Sequence, residues 1–242
     1  MTKIVTIVRT KNEERNIGKF CDAYQFCDSI LVADGGSTDK TIEIAKSYPK
    51  VQVREFSERV QLANGHWRNP DYKHIQFLID WAKYEEKADW IIFDDCDMRP
   101  NFLLRKYARQ LLENCLSSSR FFLVTALYVW DRLYYFPNHS KPYDRINWVP
   151  SLWAFRTDFD LFTLDRFPHF EFSYDGHHGI DLNDGPSSKV FPPFCRLHFT
   201  WETEEICNKH VGMYRDSGLI PNMDYPKGAC GPIEELPEWA KE

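Results

Sequence analysis

At 242 residues the chain is long enough to bury a sizeable core, as one large domain or two small ones. Its 43% hydrophobic and 27% charged residues are ordinary for a globular protein in water, and no apolar run approaches the about 18 residues that a membrane span needs. A net charge of −6 argues against broad, sequence-blind binding to nucleic-acid phosphates.

The N-terminal residues enter a strand pattern at once, with no signal-peptide pattern, so a cytoplasmic location is expected. Lys3–Arg9 reads as a buried strand rich in β-branched residues. Asn12 is placed to cap a helix opening at Glu13-Glu14, whose acids suit the positive end of a helix dipole. Ser29–Ala33 is a second strand. Asp34-Gly35-Gly36-Ser37-Thr38-Asp39 then permits a tight turn in which Ser37 or Thr38 caps the next helix. That helix carries Thr41, Ile44, Ala45 and Tyr48 on one face, Val51–Phe56 alternates as a third strand, and Ile75, Leu78, Ile79 and Ala82 mark another amphipathic helix.

Trp90–Phe93, four apolar residues in a row, fits a fully buried parallel strand that ends in Asp94-Asp95-Cys96-Asp97. Open α/β sheets bind ligands just outside the carboxyl ends of their strands. In extended chain Asp95 and Asp97 would point the same way. Adjacent carboxylates repel unless a cation lies between them, and hard divalent ions take such oxygen ligands. The plainer alternative is that the acids solvate a loop or cap the next helix. Pro100-Asn101 does precede a helical stripe of Leu104, Tyr107, Ala108, Leu111, Leu112 and Cys115. The alternation of strands and helices predicts an α/β fold of three layers, α/β/α, with a mostly parallel central sheet covered by helices on both sides.

Phe121–Trp130, Leu133–Phe136 and Pro150–Arg156 read as further strands. Pro168–Pro193, rich in Gly, Pro, His and Asp, reads as loops with short elements, the usual carrier of substrate contacts. Glu202–Arg215 reads as a helix. No repeat or linker divides the chain, so a single domain over 1–242 is expected, with a first half to 115, a second half over 116–215 and a tail over 216–242. Seven cysteines without a Cys-x-x-Cys pair imply reduced structural thiols rather than a disulfide framework or a thiolate zinc site. Arg99, Arg105, Lys106 and Arg109 form either a solvated helix face or a local basic patch.

Several of these segments together resemble the family 2 glycosyltransferases of the GT-A (Rossmann-like) fold. They are Ile7-Val8-Arg9-Thr10-Lys11-Asn12-Glu13-Glu14, the stretch Leu31-Val32-Ala33-Asp34-Gly35-Gly36-Ser37-Thr38-Asp39-Lys40-Thr41, and Ile92-Phe93-Asp94-Asp95-Cys96-Asp97. A fourth, Leu197-His198-Phe199-Thr200-Trp201-Glu202, with Lys209 and Tyr214 after it, resembles the lipopolysaccharide-core glucosyltransferase branch. The resemblance covers residues 3–115 closely and 120–215 loosely, and does not extend to the last two dozen residues.

The resemblance implies a set of roles. Thr10 and Glu13 would line the nucleotide pocket, Asp34 would bond the nucleobase or its ribose, and Asp95 would approach the ribose or the metal. Asp97 would ligate Mn²⁺ or Mg²⁺, which bridges the diphosphate of a nucleotide-sugar donor, a UDP-sugar first among them. His198 resembles the C-terminal histidine that completes the metal or diphosphate site, and Arg68 and Lys73 would contact phosphates. Such a metal acts as a Lewis acid on the leaving group, and a carboxylate base would deprotonate the acceptor hydroxyl in one inverting displacement. The family presents that base in a Glu-Asp or His-Glu context. Here Glu171 is favoured, because His169-x-Glu171 mimics the second form with one residue inserted; Asp175 is its near rival and Asp181 an outsider.

Each residue also has a plainer role open to it. His198 would ordinarily be a core histidine, His177-His178 loop histidines, and Asp34 a turn residue; Tyr128, Trp130, Trp148 and Trp153 are assigned to the core before acceptor stacking. The acceptor is expected to be a glycan or lipid-linked sugar, a protein, or a hydroxymethylated nucleic-acid base, with the enzyme in the cytoplasm or against the inner face of a membrane. The alternatives are a non-catalytic nucleotide-sugar-binding protein and a sugar-nucleotide pyrophosphorylase. The latter's Gly-rich phosphate loop is replaced here by Arg9-Thr10-Lys11-Asn12-Glu13.

Overall fold

Period-two alternation along the first strand sends Ile4 and Val8 to one face of the sheet and Val5 and Ile7 to the other, and all four are fully buried. A computed structural model describes residues 1–61, 67–130, 134–135, 150–166, 169–174, 177–178, 187–201, 234–235 and 238. The first strand, β1 (Ile4–Thr10), is followed by α1 (Ile17–Ala23), β2 (Ser29–Asp34), α2 (Thr41–Lys46) and β3 (Val51–Glu55). A short ribbon pairs β4 (Val60–Gln61) with β5 (Trp67–Arg68). Then α3 (Asp71–Asp80) runs through a π-helical turn at Trp81–Glu85 to β6 (Trp90–Phe93), β7 (Met98–Pro100) and α4 (Phe102–Glu113). The rest is β8 (Phe121–Trp130), β9 (Tyr134–Tyr135), β10 (Pro150–Arg156), β11 (Leu161–Arg166), β12 (His169–Tyr174), β13 (His177–His178), β14 (Ser187–Trp201) and β15 (Glu234–Glu235).

Strands β3, β2, β1 and β6 lie side by side in that order and run parallel. Beyond β6 the sheet becomes mixed: β10 is antiparallel to β6 and to β8, while β14 runs parallel to β8 and antiparallel to β7. On one face Ile17 and Phe20 of α1, Ala45 of α2 and Leu104, Ala108 and Leu112 of α4 pack on Val8, Val32 and Ile92. On the other, Ile75, Leu78 and Ile79 of α3 pack on Ile7, Leu31 and Ile91. Each fully buried Val, Leu, Ile or Phe among them stabilises the sandwich by about 1.5–3 kcal/mol. The expected three-layer α/β/α fold is therefore present, with its parallel strands grouped at one side of the sheet and β3 at the edge. No helix among the described residues is long and apolar enough to cross a membrane.

Several local expectations are corrected. Asn12 caps no helix: it takes a left-handed conformation (φ 56°), and α1 starts only at Ile17. Ser37 and Thr38 do not cap α2; Asp39 instead accepts from the Thr41 backbone N–H at 3.0 Å and its hydroxyl at 2.5 Å. Asn101 does cap α4, its side chain accepting from Leu104 N–H at 3.0 Å. Much of the segment read as loops is strand, β12 to β14, with β11 just ahead of it pairing with β12. Residues 202–215, read as a helix, lie outside the described residues. Cys21, Cys27, Cys96, Cys115 and Cys195 are free thiols. Burial pushes the Cys21 and Cys195 thiols up to about 12, which keeps them unreactive.

Candidate active site at the carboxyl edge of the parallel strands

The loops after β1 and β2 fold onto each other. Thr10 pairs with Asp34 in register, its hydroxyl donating to Asp34 Oδ1 at 3.1 Å, and the Gly35 N–H donates to the Thr10 carbonyl at 2.8 Å. Asp34 also accepts from the Gly36 and Ser37 N–H groups at 2.9 and 2.7 Å and from the Ser37 hydroxyl at 2.5 Å. Four donors thus surround a carboxylate of a residue that is 1% exposed. Asp34 organises the turn, and a donor reaching it directly would have to displace the Ser37 hydroxyl. Asn12 stitches the two loops: its N–H donates to Ser37 Oγ and its Oδ1 accepts from Thr38 N–H, both at 2.8 Å. The Glu13 N–H donates to Thr41 Oγ1 at 2.7 Å, while its carboxylate accepts from Asn16 Nδ2 at 2.9 Å.

Gly36 has φ 89°, where a side chain would be strained. Gly35 is glycine for a different reason. A Cβ there would sit 2.6 Å from Asn69 Oδ1, and Asn69 is pinned by bonds from Nδ2 to the Phe56 and Glu58 carbonyls at 3.1 and 2.8 Å. The start of α3 therefore closes over the β1 and β2 ends.

The acids after β6 separate into three environments. Asp94 is buried and accepts from Tyr24 Oη, Trp153 Nε1 and Arg196 Nη1, so it is a core anchor, as is Trp153. Asp95 lies toward Arg9, whose Nε and Nη2 are each 3.4 Å from Asp95 Oδ1. Asp97 lies beside His198, with Nε2 to Oδ1 at 3.4 Å. The extended chain from which Asp95 and Asp97 were expected to point the same way is absent. The backbone turns at Cys96-Asp97, and the Met98 N–H donates back to the Asp95 carbonyl at 2.8 Å.

His198 reaches this edge on β14, which pairs His198 with Met98; the Phe199 N–H donates to the Asp97 carbonyl at 2.9 Å. Burial works against a charge on His198, but the Asp97 and Asp95 carboxylates together outweigh it and raise the imidazole above its ordinary value. Two carboxylates and an imidazole are suitable donors for Mn²⁺ or Mg²⁺. Among the described residues, however, no group of three His, Cys, Asp or Glu side chains is gathered to hold an ion. Side chains alone therefore do not complete an ion's shell at this edge, and an ion here would need further oxygens, such as the phosphate oxygens that usually complete the shell of Mg²⁺.

The other expected residues are dispersed. Lys73 makes an exposed pair with Glu58 at 2.8 Å. Arg68 lies on β5 opposite Val60, and its side chain is outside the described set. Glu171 lies on β12 opposite Leu164. Its neighbour Phe172 packs edge-on against Phe93 with ring centroids 6.2 Å apart, which lays β12 against the end of β6. Asp175, Asp181 and Trp148 lie outside the described residues. His177 and His178 lie on β13 rather than in a loop. The basic run does not form one patch: Arg99 is buried under the Phe199 ring at 3.8 Å, and Arg109 bonds the Thr2 and Phe26 carbonyls and Asp28. Sequence reasoning missed Arg9, Asn69 and Arg196. The available signal was a charged Arg9 near the end of an otherwise uncharged strand.

Fold and site together define a class: a three-layer α/β protein with an acidic ligand edge at the ends of its parallel strands. No protein-family model matches the chain, and no curated protein matches it. Among solved structures, S. aureus TarS is similar at 21% identity over 53% of this chain and 22% of its own, with a TM-score of 0.42. Glucosyl-3-phosphoglycerate synthase from Mycobacterium tuberculosis, in complex with Mn²⁺, UDP and glucosyl-3-phosphoglycerate, is similar at 21% identity over 53% of this chain and 44% of its own, with a TM-score of 0.39. The chain thus spans less than half the length of either.

Proposed function

We propose that the protein is a glycosyltransferase that moves a sugar from a nucleoside-diphosphate donor to an acceptor hydroxyl with inversion. The observation that carries this reading is the placement of Thr10, Asp95, Asp97 and His198 along one edge, at the carboxyl ends of β1, β6 and β14, beside the turn organised by Asp34. That is where open parallel sheets bind nucleotides. The Asp34 turn and Glu13 loop would cradle the nucleoside. Asp97 and His198, with Asp95, would hold a divalent ion, which supplies Lewis-acid stabilisation of the departing diphosphate. Glu171, or failing it Asp175, takes the proton of the acceptor hydroxyl as its oxygen attacks the anomeric carbon and the bond to the diphosphate oxygen breaks.

A glycan or lipid-linked sugar is the favoured acceptor. A hydroxymethylated base is the less favoured acceptor, since Arg99 is engaged internally and only Arg105 and Lys106 of that basic run are left to meet phosphates. The test is hydrolysis and transfer with a panel of UDP- and GDP-sugars, in Mn²⁺ and in chelator. Turnover that needs the ion and is lost in Asp97→Asn is expected. Turnover indifferent to chelator refutes the metal role of Asp97, binding without turnover supports a non-catalytic sugar-nucleotide binder, and no binding refutes the donor.

A further inference from the structure

Each acid of the 94–97 cluster has its own basic neighbour: Arg196 for Asp94, Arg9 for Asp95 and the His198 imidazole for Asp97. The first pair is sealed in the core. The Arg9 pair is built differently. Arg9 is anchored by Asp71, at the start of α3, with Nη1 to Oδ1 at 2.7 Å. Its two approaches to Asp95 both go to one oxygen at 3.4 Å, beyond the usual range of about 2.7–3.2 Å for an N–H···O bond. Unconstrained guanidinium and carboxylate groups close to about 2.7–2.9 Å and pair oxygen for nitrogen. The Arg9 and Asp95 side chains are 23% and 39% exposed, so solutes reach the pair. Burial works against the Arg9 charge, but Asp95 and Asp71 together hold the guanidinium firmly protonated.

We propose that Arg9 positions the donor's anionic group: it stays anchored on Asp71 and exchanges Asp95 for the diphosphate of a nucleoside-diphosphate ligand. The inference rests on the donor reading above. A planar fork of N–H groups matches phosphate oxygens bidentately, which a loose contact to a single carboxylate oxygen does not use. The exchange also answers a charge problem. A diphosphate entering an edge that carries Asp95 and Asp97 is repelled unless a fixed cation turns toward it. Once Arg9 turns, the Asp95 carboxylate is left without the guanidinium and would be available to a divalent ion. If Arg9 were only a bridge between β1, α3 and the acids, losing either of its partners would loosen the site and weaken every ligand alike.

The test is calorimetric titration of UDP, GDP and ADP, each beside its own nucleoside, in EDTA and again in Mn²⁺. Wild type, Arg9→Met, Arg9→Lys and Asp95→Asn are compared, with thermal melting of each. The diphosphate-to-nucleoside affinity ratio in EDTA should fall about tenfold or more in Arg9→Met, the loss of one charge-assisted contact. Arg9→Lys should restore part of it. Asp95→Asn should raise the ratio about threefold, because it removes a rival for the guanidinium. Should Arg9→Met fail to fold, Arg9→Lys and Asp95→Asn still carry opposite signs. An unchanged ratio in the Arg9 variants, or a fall in Asp95→Asn, overturns the inference. If wild type binds none of these nucleoside diphosphates with or without Mn²⁺, the donor reading fails first; if it binds them and Arg9 proves irrelevant, only the Arg9 assignment fails.

Discussion

Replacing Arg196 by methionine removes the cation from a carboxylate that water does not reach. Asp94 is 1% exposed and accepts from Tyr24 Oη, from Trp153 Nε1 at 3.2 Å and from Arg196 Nη1, so Arg196→Met leaves it two neutral donors. Arg196 Nη2 also donates to Ser151 Oγ, and that hydroxyl keeps only its long 3.5 Å bond to the Val124 carbonyl. Breaking one side of a buried pair costs about 3–5 kcal/mol, because an uncompensated charge stays behind. For a chain of 242 residues each kcal/mol lowers Tm by about 2–4 °C, so the loss is about 6–20 °C.

The pH dependence distinguishes this cause from a packing defect. Burial already pushes the Asp94 carboxyl above its ordinary value while Arg196 pulls it back. Without Arg196 the folded-state value rises further above the unfolded one. Such a group takes up a proton on folding, so stability is fullest at acid pH and is lost as pH rises through the folded-state value. Urea denaturation should therefore show a larger deficit for Arg196→Met at pH 8 than at pH 5, and Asp94→Asn added to Arg196→Met should recover most of it at pH 8. A deficit under about 1 kcal/mol, the size of an average substitution, would refute the reasoning. So would one that does not vary with pH.

His74 is held down to about 4 from 6.5 by burial; its Nε2 lies 2.9 Å from the Ala33 carbonyl and its ring stacks on Phe56. The unfolded chain binds that proton first, so about 3 kcal/mol of stability, complete above 6.5, drains away as pH falls toward 4, and urea melts of His74→Phe should lose that slope. Gly35→Ala drives a Cβ to 2.6 Å from the pinned Asn69, so a loss of about 1–3 kcal/mol in thermal melts and a matching loss of nucleotide affinity are expected. Lys73→Ala, which breaks only an exposed pair, should leave the thermal midpoint within error of wild type in melting curves. Glu171→Gln should lower kcat by about a hundredfold or more with donor affinity unchanged; full activity in Glu171→Gln, in Asp175→Asn and in the double variant would sink both as the base.

What was legible in the sequence is what short separations decide. The Asp34 turn closes within three residues, through bonds to Gly36 and Ser37, and its Asp-Gly-Gly-Ser spelling announces it. The Asn101 cap of α4 is equally local. The β1 and β6 strands are announced by their apolar runs, since a strand buried on both faces needs no alternation. The Asn12 loop shows the limit of local reading: it looks like a helix start, yet its polar atoms bond Ser37 and Thr38 some 25 and 26 residues on.

The acid cluster shows the same limit at the point where function is decided. A period of two holds only while the chain is extended, and β6 ends at Phe93, so nothing in residues 94–97 fixes where the carboxylates go. Their directions are set by partners 86 and 102 residues away: Arg9 for Asp95 and Arg196 for Asp94. β14 delivers Arg196 and His198 together, and two residues apart they serve opposite ends. Arg196 locks Asp94 inside while His198 stands beside Asp97 at the rim. A strand that anchors itself through a buried charge pair can hold an imidazole at the edge without a helix or loop to support it. Damage to the Asp94–Arg196 pair should therefore reach the rim as well as the core.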